Sequence, residues 1–84
     1  MAAAFGEIVP RDFVPVVPSD AEDNLPPGTI GLVNNTGADA FIAVVTAGGT
    51  SAVLPVVAYG ALSGRFRRVK VDGTTAGEVL AAVW

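Results

Sequence analysis

The chain has 84 residues, a formal net charge of −3, and neither cysteine nor histidine. Disulfides, thiolate nucleophiles and sulfur-ligated zinc are excluded, and the commonest general base and metal ligand is missing. A domain of this size buries only about 60–65% of the surface its unfolded chain exposes, so partner subunits are the expected supplement to a thin core.

Catalytic signals are equally sparse. Gly28, Gly31 and Gly37 lack the spacing of a dinucleotide-binding loop, and no Gly-Lys-Ser/Thr phosphate loop occurs. Serine and threonine have no histidine to activate them, and Lys70 is the single lysine. The expectation is a protein that is not an enzyme and takes neither cofactor nor metal.

In chain order, residues 1–28 come first as an extended arm. Pro10, Pro15, Pro18, Pro26 and Pro27 fix φ and delete backbone donors at short intervals, so no helix can run through. The arm's apolar contacts are Phe5, Ile8, Val9, Phe13, Val14, Val16 and Val17. Either it wraps its own domain or it lies across another subunit, since an exposed apolar arm would be a liability. On the second reading, residues 1–17 can be removed to leave a soluble domain that no longer assembles. The opening MAAAFGEIVPRD has no basic, then apolar, signal-peptide pattern, so synthesis and retention in a bacterial-type cytoplasm are expected.

Ser19-Asp20-Ala21-Glu22-Asp23-Asn24 reads as a polar turn. Its acids hint at a calcium loop, but Leu25 stands where glycine is needed and Gly31 where glutamate is needed. The sandwich domain proper is then expected over residues 29–84. Thr29–Val33 reads as a strand, and Asn34-Asn35-Thr36-Gly37 as a turn.

Residues 40–64 follow, 25 in a row without a charge. They are long enough to span a bilayer, with Arg65, Arg67, Arg68 and Lys70 as a positive flank. Thr46-Ala47-Gly48-Gly49-Thr50-Ser51 interrupts that reading. A Gly-Gly pair between two β-branched runs signals a hairpin, because glycine tolerates the positive φ that tight turns demand. The hairpin is therefore preferred to a single-span membrane protein. Its strands, Phe41–Val45 and Ala52–Val57, are apolar on both faces, as suits a sheet covered on both sides.

Arg65-Phe66-Arg67-Arg68-Val69-Lys70-Val71 is the clearest strand with a wet face. A bulge at Arg67–Arg68 would gather Phe66, Val69 and Val71 on one face. The run also holds four of the five basic residues, whereas six of the eight acids lie in residues 1–39. Arg65, Arg67, Arg68 and Lys70 form a solvated face paired to acids, a phosphate contact, or a subunit interface. With only Phe66 for stacking, a nucleic-acid platform is not expected. Residues 78–84 fit two helical turns after a Thr75–Glu78 capping box, or a closing strand after Asp72-Gly73.

The order of these short motifs resembles one family. Val17-Pro18-Ser19-Asp20, Leu25-Pro26, Gly31-Leu32-Val33-Asn34-Asn35-Thr36-Gly37, Val45-Thr46-Ala47-Gly48-Gly49-Thr50, Gly60, Arg68-Val69, Gly73-Thr74-Thr75-Ala76 and Trp84 are similar to the small spike base proteins of gene transfer agent particles and related tailed phages. Members carry a T-P-S-D element, an Ala-Gly-Gly hairpin and a G-T-T-A tail running to an aromatic residue. The resemblance covers residues 16–84. Val17 replaces the usual threonine, and Leu62-Ser63-Gly64 replaces a Leu-Pro-Val-like run.

The resemblance implies a small antiparallel β-sandwich of five to seven strands, with residues 78–84 as a strand. It also implies a virion protein on the head surface that forms a symmetric homo-oligomeric ring, a pentamer if at a capsid vertex. The major capsid protein and a spike fibre would be its partners, with no membrane and no nucleic acid. A capsid decoration protein, or another head or tail subunit, is the alternative.

Overall fold

The uncharged stretch turns back on itself at Gly48-Gly49. Gly49 sits at φ +92°, its N–H donates to the Thr46 carbonyl at 2.9 Å, and the Thr46 N–H donates to the Thr50 carbonyl at 2.8 Å. A left-handed residue at this corner is what glycine supplies without a Cβ clash. The structure is a computed structural model that describes residues 9–84. Phe5 and Ile8, expected as arm contacts, lie outside the described residues.

Seven antiparallel strands form two sheets, as the all-β reading expects. They are β1 (Asp12–Val16), β2 (Thr29–Asn34), β3 (Ala40–Thr46), β4 (Ser51–Val56), β5 (Ala61–Ser63), β6 (Phe66–Val69) and β7 (Val79–Val83). One sheet runs β1-β7-β2-β5 and the other β4-β3-β6. Residues 40–64 thus supply β3, β4 and β5. No helix among the described residues is long and apolar enough to cross a membrane.

Alternation decides which side chains meet between the sheets. Ile42 and Val44 of β3, Leu32 of β2 and Val69 of β6 are fully buried there. Val79, Ala81 and Val83 of β7 join them, so the segment left between helix and strand is an inner strand of the larger sheet. Its alternate residues Leu80 and Ala82 pack with Ile30 and Val33 on the outward face. A helix would have presented only one apolar stripe; β7 uses both faces of an almost wholly apolar run.

The expected bulge in β6 is present. Val45 pairs with Arg68 but Thr46 pairs with Phe66, so Arg67 is the extra residue. The shift lets Phe66 pack against the core together with buried Val69. Val71, expected on the same face, lies past the strand end and is 56% exposed.

Loops complete the hydrogen bonding of the smaller sheet. On β6, the Ser19 N–H donates to the Val69 carbonyl at 2.9 Å, and the Asn24 N–H to the Arg67 carbonyl at 3.3 Å. The Asn24 amide group donates to the carbonyls of Val17 at 2.8 Å and Val69 at 2.9 Å, and its Oδ1 accepts from the Val69 N–H at 2.9 Å. On β3, beyond the reach of β6, Thr75 Oγ1 accepts from the Phe41 N–H and Thr74 Oγ1 from the Ala43 N–H, each at 2.9 Å. The Lys70 and Thr75 N–H groups donate to the Ala43 and Phe41 carbonyls. Gly73, at φ +94°, arches across the outward face; a Cβ there would stand 3.2 Å from that of Ala43 and 3.3 Å from Val53 Cγ2.

Asn24 is the joint with the most to lose. Replacing it with alanine strands the buried Val69 backbone, which costs about 1–3 kcal/mol. Asn24→Asp keeps the acceptor but turns a carboxylate toward two carbonyls, and destabilises at least as much. Urea unfolding of both variants measures this; a loss below about 0.5 kcal/mol would show that the joint is dispensable.

Candidate assembly surfaces

Two of the three acids of the polar turn are engaged within the fold. Asp20 Oδ1 accepts from the N–H groups of Val71 at 2.9 Å and Asp72 at 3.2 Å. Asp23 Oδ1 accepts from Arg68 Nε at 3.1 Å and lies 3.0 Å from Arg68 Nη2. The calcium-like spacing therefore serves to dock the turn on β6. Glu22 alone of its acids accepts no hydrogen bond among the described residues.

The basic strand is divided by its bulge. Arg68 is drawn onto Asp23, with Nη1 also reaching the Asp20 carbonyl at 3.4 Å. Arg67 is half-exposed, 3.8 Å from Asp23, and lies beside Gly49 of the hairpin. Arg65 reaches the Thr29 carbonyl at 3.5 Å. Lys70 has no ion-pair partner among the described residues. The four bases thus do not converge on one point, and the pairing to acids occurs inside the chain.

The arm wraps its own domain from Asp12 onward. β1 pairs with β7 from Asp12↔Val83 to Val16↔Val79. Val14 and Val16 point inward and pack on the core, while Phe13, Pro15 and Val17 face outward. Of the expected arm contacts, then, Val9, Phe13 and Val17 remain available to a partner, and Val14 and Val16 are committed to the fold.

Three outward surfaces are apolar. On the outer side of the larger sheet Phe13 and Pro15 are exposed and Leu80 and Ala61 half-buried, whereas Val33 and Ala82 beside them are buried. A second surface is a pocket of about 410 Å³ at one end of the β3–β4 pair, lined by Asp39, Ala40, Phe41, Pro55, Val56 and Val57. Phe41 and Val57 are 50% and 64% exposed. Tyr59 stands nearby at φ +54°, its N–H bonded to the Thr36 carbonyl. The third is a recess of about 360 Å³ lined by Val9, Arg11 and Trp84, with Trp84 66% exposed.

The pocket residues escape a reading by motif, because Phe41, Pro55 and Val57 belong to runs that are apolar throughout. Which half faces outward is fixed only by the register of β3 on β4, where Phe41 meets Pro55 and Ala43 meets Val53. No family model, no curated protein and no solved structure matches this chain.

Because β1 covers β7, removing residues 1–17 does not leave an intact domain. The truncation uncovers the β7 backbone and the partly buried Val14 and Val16, a loss of roughly 2–4 kcal/mol. Thermal melting followed by far-ultraviolet dichroism should show a markedly lower midpoint; an unchanged midpoint would return this segment to the status of a free arm.

Proposed function

We propose that this chain is a structural subunit of a virus-like particle, a spike base that sits on the head and assembles as a symmetric ring. The observation that carries this reading is the excess of outward apolar surface on so small a sandwich. Val9, Phe13, Val17, Phe41, Val53, Val57, Tyr59, Val71 and Trp84 are all large and exposed. Scattered hydrophobics are ordinary, but contiguous apolar faces on a domain this small mark surfaces that a partner covers.

The resemblance to the spike base family supports the finer reading, and its motif residues have definite tasks here. Asp20 of the Val-Pro-Ser-Asp element docks the polar turn. Gly49 makes the hairpin corner, and Thr74 and Thr75 of the Gly-Thr-Thr-Ala element finish the bonding of β3. The shared order of motifs therefore coincides with positions that determine a fold. The activity is binding: inward to the major capsid protein, sideways to sibling copies, outward to a fibre.

Copy number tests the reading. Particles purified from the producing cells and quantified by mass spectrometry should contain this chain at a few copies per five-fold vertex. Hundreds of copies per particle would make it a decoration protein instead, and its absence from particles would overturn the virion reading.

A further inference from the structure

We propose that copies of this chain join head to tail, with Trp84 of one copy seated in the β3–β4 pocket of the next and Arg11 facing Asp39 across the contact. This deepens the assembly reading and rests on it only for the biological setting. The two surfaces lie at opposite ends of the sandwich, and β2 connects them. At its start, the Trp84 N–H donates to the Gly28 carbonyl at 3.0 Å. At its end, the buried Asn34 amide donates to the carbonyls of Ala38 at 2.9 Å and Val57 at 3.1 Å, beside the pocket. A strand of this length separates them by about 20 Å.

The chemistry of the two surfaces is complementary. The pocket is apolar except for Asp39, whose Oδ1 accepts from the Ala58 N–H at 3.0 Å and whose Oδ2 accepts no bond among the described residues. The recess at the opposite end is lined by an exposed indole and a cation, Arg11, which has no carboxylate partner among the described residues. Both are held on fixed backbone, since the Arg11 N–H donates to the Val83 carbonyl at 2.7 Å. An aromatic side chain buries roughly 150–250 Å², and an aromatic anchor in an apolar pocket beside a charge pair is the usual form of an interface hot spot.

Matching either surface with its own twin would bring Arg11 toward Arg11 or Asp39 toward Asp39. Two different, complementary patches on one molecule instead give a heterologous contact that repeats from copy to copy.

Sedimentation velocity of the purified full chain, at loadings up to roughly 1 mM where weak contacts register, tests the proposal without any particle present. The wild-type chain should self-associate. Trp84→Ala, Arg11→Glu and Asp39→Asn, the last of which keeps the acceptor for Ala58, should each weaken association at least about tenfold. Arg11→Glu and Asp39→Lys should each be monomeric alone, and an equimolar mixture of the two should associate again, because each then offers the other a matched pair. Far-ultraviolet dichroism confirms that the variants are folded. A monomeric wild type, an association indifferent to these substitutions, or a mixture that stays monomeric would each overturn the interface. None of those results touches the copy-number test, and absence from particles would leave this interface standing.

Discussion

A sheet of three short strands has more backbone hydrogen-bonding groups at its rims than neighbouring strands can satisfy, and in this protein loops meet that need. Asn24, with three hydrogen bonds from one side chain, takes the place of a strand beside Val69. Thr74 and Thr75 do the same for β3, offering hydroxyl oxygens where a carbonyl ladder would otherwise stand. Burial of Ile42, Val44 and Val69 between the sheets depends on these bonds, because unpaired backbone beside a core is expensive. With no disulfide available, the fold closes itself by polar loops wrapped around an apolar centre.

The same economy explains which parts were legible in the sequence. The hairpin was legible because Gly48-Gly49 is a local signal between two β-branched runs, and a turn is decided within a few residues. The bulge at Arg67 could be inferred from a conflict: strict alternation would have sent Phe66 to the side of Arg68 and Lys70. The identity of the final segment needed more, since Val79–Val83 is a strand only because β1 and β2 flank it on both sides. Nothing local in Val-Leu-Ala-Ala-Val states that.

The acid-rich turn shows the opposite failure. Asp20, Glu22 and Asn24 have a spacing that suggests a cation, yet Asp20 and Asn24 are aimed at backbone N–H groups 45 or more residues away. Long-range docking of this kind leaves no trace in spacing. The candidate surfaces share the difficulty. Phe41 and Ile42 are adjacent and both apolar, but one is half-exposed and the other fully buried, and only the pairing of two sheets separates them.

Each of the four outer strands also carries its own guard. Proline interrupts β1 at Pro15 and β4 at Pro55, β5 is three residues long, and β6 is covered by the Ser19–Asn24 turn. A proline in a rim strand removes a donor that an incoming chain would use. Molecules crowded together at high local concentration are thereby discouraged from zipping main chain to main chain into fibrils. Association is left to side chains, and contacts of that sort stay reversible, so a wrongly placed copy can leave and try again.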